Sequence, residues 1–374
     1  MEKKLKYFFK DLCDRELISN YANLENFYLL KKEEKKIYWG IDCNHDTLHI
    51  GHLLLIIQII RFAKEDFKIF LMLGESTSRI GDPSDKIEER IRIKEKDISN
   101  FSKKIKEQIE KILISPKKIE NYGKNPLENF YNDSILIKKI YQILKIKENW
   151  NENKKWKEYL KYIWPFWDNK IDEKFQIISN KKWLEKISYI DFIDKIGRKL
   201  TVNYILAKDW IKKRLSKGLS YLGFSYSLLQ AYDFYYLYKN YDCKGQLGGS
   251  DQWGNITTGL KLIKSYYPSN NAFAFNFCLL KDKMGKKISK SGDKKGIIFL
   301  NSDEKIFCDF FQNMSDEQVL IYIKQFTFLK KKQINELIKL NNPPKLRILQ
   351  RILLELIYWI NYQKLYNVRI NLEQ

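Results

Sequence analysis

Ile37-Tyr38-Trp39-Gly40-Ile41-Asp42 is a short apolar run that ends on an acid. Beyond a polar turn, the stretch from Ile50 to Ala63 includes Leu53-Leu54-Leu55-Ile56-Ile57 and Ile59-Ile60, with little polar relief, and Lys68 to Leu73 is apolar again. The lengths predict a strand, a helix and a second strand. A crossover helix so poor in polar residues is expected against a parallel sheet buried on its faces. The predicted fold class is therefore α/β, a doubly wound parallel sheet.

Working outward, the pattern loosens between Ser115 and Lys174 into Lys, Asn, Glu and aromatics, with Trp150, Trp156, Trp164 and Trp167 close together. We read an insertion at about 116–174. Aromatics interleaved with lysines can stack on unpaired bases, and they can equally form the small core of a helical excursion, the commoner outcome. The helical period returns after Val202 and runs through Ser227 to Asp233, a glycine-rich turn is expected from Gly245 to Gly254, and this half completes the sheet. From Phe299 onward the pattern is helical, broken at Pro343-Pro344. The expected domains are 1–299 and an all-helical 300–374.

A chain of 374 residues with 44% apolar content can fill two cores. No apolar run approaches the roughly 18 residues of a membrane span, and Met1-Glu2-Lys3-Lys4-Leu5 does not resemble a signal peptide, so a cytoplasmic protein is expected. The five cysteines are scattered, which argues against a disulfide framework or a zinc knuckle. A formal charge of +22 suits a polyanionic partner, although the inflated Lys, Ile, Asn, Tyr and Phe content also fits a coding bias that leaves many lysines as solvated surface.

All three histidines, His45, His49 and His52, fall within eight residues at the strand-to-helix junction. Zinc is one reading, with Asp42, Asp46 and Cys43 the only candidates to complete a ligand set. The reading we adopt has no metal held by these groups: a helix start offers free N–H groups and a positive dipole end to phosphates, and Gly51 lets a ligand approach the backbone. Far along the chain, Gly285-Lys286-Lys287-Ile288-Ser289-Lys290-Ser291-Gly292 puts lysines on a glycine-bounded loop, suited to negative charge developing on a leaving group.

Leu48-His49-Ile50-Gly51-His52 resembles the HIGH signature of class I aminoacyl-tRNA synthetases, and residues 285–292 resemble their KMSKS loop. Tyr38 to Asp42, Gly81-Asp82-Pro83-Ser84, Val202-Asn203-Tyr204, Leu229 to Asp233 and Gly248 to Asn255 are similar, in order, to the bacterial tyrosyl-tRNA synthetases. The resemblance covers nearly all of the chain outside the insertion. It implies a ligase that activates tyrosine with ATP and charges tRNA(Tyr), working as a homodimer through the stretch around Ile205, Leu206, Leu219, Tyr221 and Leu222.

The same resemblance implies roles residue by residue. Tyr38 and Asp233 would hold the substrate phenol, Asp82, Tyr226 and Gln230 its ammonium, with Asn203 and Gln252 lining that pocket. ATP would lie across Gly40, Asp42, Asn44, Gly51, Gly248 and Asp251, with His49 and His52 toward the phosphates. Lys86, Arg90, Lys287 and Lys290 would stabilise the leaving pyrophosphate beside Mg²⁺. Asn44 stands where the family commonly has threonine, Trp39 and Glu75 where it has smaller residues, and no ribosomal-protein-like RNA-binding module is expected after the helical part.

Overall fold

The computed structural model describes residues 1–84, 92–114, 134–162, 171–215, 218–280, 298–340 and 347–362. Six strands form one sheet: β1 (Ile18–Ala22), β2 (Lys36–Asp42), β3 (Lys68–Gly74), β4 (Phe175–Ser179), β5 (Gly245–Gly249) and β6 (Phe273–Phe277). The helices that matter below are α1 (Glu2–Asp14), α2 (Ile50–Lys64), α3 (Glu95–Ile114), α4 (Ser134–Leu144), α5 (Glu152–Leu160), α6 (Tyr221–Tyr241) and α7 (Trp253–Tyr266). They are followed by α8 (Glu304–Gln312), α9 (Asp316–Phe326), α10 (Lys331–Leu340) and α11 (Ile348–Tyr362).

The strand order is β1-β6-β5-β2-β3-β4, parallel except where β1 joins the edge antiparallel to β6. The predicted strand, helix, strand unit is β2-α2-β3, with Trp39 opposite Leu71 on one side and Leu247 on the other. From β2 the chain builds outward to β3 and β4, then returns to place β5 against the other side of β2. That reversal opens a crevice beyond the carboxyl ends of β2 and β5, the position where open α/β sheets accept ligands.

The stretch from Gly245, read as a turn, begins as a buried strand instead. Glycine is needed there for closeness rather than for a turn: a Cβ on Gly245 would lie 2.4 Å from Phe273 Cζ and 2.7 Å from Ile37 Cγ2. The turn expected from the glycines starts only at Ser250, where a short 3₁₀ segment leads into α7.

The carboxyl-terminal helices are fastened to the sheet through α2. Arg15, after α1, donates to the carbonyls of Lys324 (3.0 Å) and Leu329 (2.9 Å), and Arg61 of α2 donates to those of Gln325 and Thr327. Gln58 adds a bond to the Gln325 carbonyl at 3.1 Å. The Lys324 and Gln325 carbonyls are orphans of the last turn of α9, those of Thr327 and Leu329 follow just beyond it, and two cations beside the negative end of its dipole satisfy them. Leu53, Phe62, Val319, Phe326 and Leu353 belong to one continuous apolar core.

The inserted segment is helical where it is described. Ile140, Tyr141, Leu144, Tyr159 and Leu160 are buried in the core that includes the carboxyl-terminal helices, so these residues form a helical excursion's core. Trp164 and Trp167 lie outside the described residues.

Gly245→Ala should cost about 1–3 kcal/mol of stability, since the central strand must shift to admit the methyl group. A lowered urea midpoint at unchanged slope would show it; an unchanged midpoint would mean that the β5 to β6 spacing is not constrained by this glycine.

Candidate active site

At the carboxyl end of β2 the chain turns into α2, and the first N–H groups of that helix need acceptors. His49 is the N-cap: its Nδ1 accepts from the N–H groups of Gly51 (3.1 Å) and His52 (3.4 Å), while His52 Nδ1 accepts from the His49 N–H (3.2 Å). This is a capping box built from two imidazoles. Because both Nδ1 atoms accept, the proton of each ring in this arrangement sits on Nε2. The rings stack with centroids 3.7 Å apart. Gly51 is required for the fold-back, since a Cβ there would meet His49 Cε1 at 2.9 Å.

His45 takes no part in this cap. It stacks on Phe299 at 4.9 Å and pairs with Asp46, Nδ1 to Oδ1, at 3.1 Å. The backbone beside Phe299 is hydrogen-bonded to the histidine turn, Ile50 N–H to the Ile298 carbonyl (2.9 Å) and Leu300 N–H to the Leu48 carbonyl (2.8 Å). The chain leaving the lysine motif is thereby fixed to the first motif.

A cleft of 210 Å³ opens at the crevice. Of the residues expected in the site, it brings together Tyr38, Gly40, Asp42, Asn44, His49, Gly51, His52, Asp82, Tyr226, Gln230, Asp233, Gly248, Asp251 and Gln252. Asn203 is not among them: it sits on the exposed face of a short helix, Val202–Leu206, started by Thr201. Asn180, just after β4, does not line the cleft but donates to Asp233, which does. Lys86, Arg90, Lys287 and Lys290 lie outside the described residues.

Three carboxylates shape the polar floor. Asp233 accepts from Trp183 Nε1 (2.6 Å) and Asn180 Nδ2 (3.2 Å), and burial outweighs these bonds to push its carboxyl up to about 7. Asp82 accepts from the Ser84 N–H (2.9 Å), the Ser84 hydroxyl (2.6 Å) and Gln252 Nε2, and burial raises it to about 6. Asp42 accepts from Thr77 Oγ1 (2.7 Å) and the Tyr226 hydroxyl (2.8 Å). Asn180 also donates to Thr77 Oγ1 at 3.2 Å, which links the Asp42 and Asp233 ends of one network.

Against this network stand buried polar atoms without partners: the hydroxyl of Tyr38 and the amide oxygens of Asn44, Gln230 and Gln246. Burial, and then the charge of Asp233, holds the Tyr38 hydroxyl well above the usual phenol range, so it is a neutral donor. Such groups cost free energy in an empty site and recover it on a ligand with a matching pattern. The rest of the lining is apolar, walled by Trp39, Leu55, Leu247, Leu279 and Leu280.

Asn180, Trp183 and Thr77 were not anticipated. Only an asparagine and a tryptophan three residues apart signalled the first two, and without β4 in view nothing connected them to the floor.

A family model described as tRNA synthetases class I (W and Y) matches residues 30–367. The tyrosine–tRNA ligase of Staphylococcus epidermidis is 33% identical over 351 residues, 92% of this chain and 70% of that protein. That of Mycoplasma capricolum is 34% identical over 349 residues, again 92% and 70%. Among solved structures, a C-terminally truncated mitochondrial tyrosyl-tRNA synthetase of Aspergillus nidulans superposes with a TM-score of 0.69 at 21% identity, covering 96% of this chain and 92% of that one. A tyrosyl-tRNA synthetase of Archaeoglobus fulgidus complexed with L-tyrosine gives 0.60 at 12% identity, covering 95% and 97%. At those identities the two structures speak to the fold.

The reciprocal cap makes a non-additive prediction. His49→Ala and His52→Ala should each cost about 0.5–2 kcal/mol in urea unfolding, and the double variant less than their sum, because either change removes half of one unit. Strict additivity would show that the two rings cap independently.

Proposed function

The chain belongs to the tryptophan and tyrosine branch of the class I tRNA synthetases, and from that premise we propose a role for each group in its cleft. The activity is tyrosine–tRNA ligation: tyrosine reacts with ATP to give tyrosyl-adenylate and pyrophosphate, and the tyrosyl group then passes to the 3′-terminal adenosine of tRNA.

The observation that carries the amino-acid assignment is the pairing of a buried, partnerless phenol hydroxyl on Tyr38 with a buried carboxylate on Asp233. A substrate hydroxyl between them would donate to Asp233 and accept from Tyr38, whereas phenylalanine would leave both without a partner. Trp183 and Asn180 hold the carboxylate in place. At the other end of the substrate, the ammonium would meet Asp82, oriented by Ser84 and Gln252, together with the Tyr226 hydroxyl and the partnerless Gln230 oxygen.

ATP would cross the switch point over Gly40 and Gly248, its ribose near Asp251 and its phosphates toward the Nε2–H groups of His49 and His52. No general base is required, since the substrate carboxylate is already the nucleophile; it attacks the α-phosphorus in line and pyrophosphate leaves. Lys86, Arg90, Lys287 and Lys290 would neutralise the charge on the leaving group. Mg²⁺ would arrive with the nucleotide, on phosphate oxygens: among the described residues no three His, Cys, Asp or Glu side chains gather to hold an ion.

We place the protein in the cytoplasm, as a homodimer, with residues 300–374 as the anticodon-binding part. The dimer reading rests on an exposed apolar face that includes Ile190 (74% exposed), Tyr221 (60%) and Leu222 (49%). Ile205, expected in that face, is buried and supports it from beneath.

Asp233→Ala should abolish tyrosine-dependent pyrophosphate exchange or erase its preference for tyrosine over phenylalanine; an unchanged ratio would remove Asp233 from the pocket. In the unaltered enzyme, Asp233 is charged only above about pH 7, and its protonated form is a weaker acceptor, so tyrosine affinity should fall as the pH drops below that value, by at most about tenfold per unit. Titration calorimetry at several pH values reads this, and a flat profile from pH 8 to 5.5 would contradict it. Lys287→Ala or Lys290→Ala should slow adenylate formation, in pre-steady-state kinetics, without weakening tyrosine binding.

A further inference from the structure

The insertion and the carboxyl-terminal helices meet in a knot of hydrogen bonds. Gln333 of α10, itself buried, donates through Nε2 to the Ile143 carbonyl (2.9 Å) and to the Tyr162 hydroxyl (2.9 Å). The Tyr162 hydroxyl donates to the Leu144 carbonyl (2.6 Å), and the Lys330 N–H donates to Gln333 Oε1 (3.0 Å). The Phe328 N–H donates to the Tyr162 carbonyl. Every buried polar group of the knot is satisfied, so the two parts of the chain are held together there.

Each strand of this knot carries a lysine. Lys145 follows Leu144 in a left-handed conformation, φ 57°, which turns the chain out of α4; Lys161 precedes Tyr162; Lys330 is part of the knot through its own N–H. Lys145 and Lys330 are exposed, and among the described residues neither is in an ion pair. Lys161 is paired only with Glu158, within its own segment. Burial first, and then the charge of Lys145, pulls Lys161 below the usual ammonium range, so these two cations lie near each other, and the knot places Lys330 beside them through its backbone. Residues 134–162 hold eight lysines against three glutamates. Like charges brought together by a fixed scaffold repel, and an anion from outside the chain would relieve that repulsion.

We propose that this junction of the insertion with the helical part is a contact for the phosphate backbone of tRNA, with Lys145, Lys161 and Lys330 as its cations. The inference rests on the tRNA-charging reading and adds to it a surface formed jointly by two parts of the chain. Its chemistry is that of successive phosphates, which favour several cations on a rigid frame. Sequence selectivity is not part of it.

The test is binding of a tRNA(Tyr) transcript to the full chain over a salt series, comparing the natural protein with Lys145→Glu/Lys330→Glu and with Lys145→Arg/Lys330→Arg. The reversal should weaken binding at least about tenfold at low salt and reduce the slope of log affinity against log salt by about one to two, whereas the arginine pair should keep both. Tyrosine-dependent pyrophosphate exchange should be the same in all three. An unchanged affinity and slope in the reversal variant overturns the proposal. A parallel loss of exchange overturns it too, because the lysines would then brace the fold; unchanged tRNA binding alongside lost binding of an acidic peptide by the reversal variant would assign the patch to a protein partner and likewise defeat it. Exchange by the natural protein tests the enzymatic reading independently.

Discussion

The first turn of α2 is the constraint on which the rest depends. A helix that starts directly beyond a sheet edge leaves N–H groups without intrahelical acceptors, and these must be satisfied without closing the space a ligand needs. Two imidazoles meet both demands, since the Nδ1 of each accepts from the backbone while both residues line the cleft. Gly51 has to be a glycine so that the His49 ring can fold over it, and β2 has to deliver Asp42 to the same edge. The far half of the same helix carries Gln58 and Arg61, which hold the end of α9. One helix of about four turns thus joins the chemistry at one end to the helical part at the other.

What the residues disclosed follows from where apolar pattern is strong. β2, α2 and β3 are buried on both faces, and continuous apolar runs announce them. β1 and β4 are edge strands of five residues each, in which Ser19, Asn20 and Gln176 break the apolar run, and neither had a readable signal. β5 was misjudged because glycine marks turns by conformational freedom and crowded strands by lack of a side chain, and composition does not separate the two. The cleft lining was legible where its residues lie inside contiguous motifs, at Tyr38, Asp82, Gln230 and Asp233. Asn203 was drawn in by its place in a motif, while Asn180, supplied by an edge strand, was passed over.

The insertion is instructive in a different way. Aromatics among lysines are compatible with a base-stacking surface and with a helical core, and the described part, around Tyr141, Tyr159 and Tyr162, is core. Trp150 is half-buried, with Lys154 Nζ 4.5 Å from its ring, so its face is already engaged by a cation of the same segment. Among the described residues of this region, an affinity for RNA would rest on charge held by a rigid frame, a property that depends on tertiary contacts more than on the local string.

The short bridge between Leu48–Ile50 and Ile298–Leu300 has a consequence for how the two signature motifs cooperate. Leu280 lies at the cleft wall and Ile298 at the histidine turn, so the ends that bracket residues 281–297 are both pinned beside the site. If the lysines between those ends take the proposed role, the tether would present them at an effective concentration on the order of millimolar or above, whatever their intrinsic affinity for phosphate. A weak, easily reversed contact would then suffice to hold pyrophosphate, and the same weakness would let the product leave.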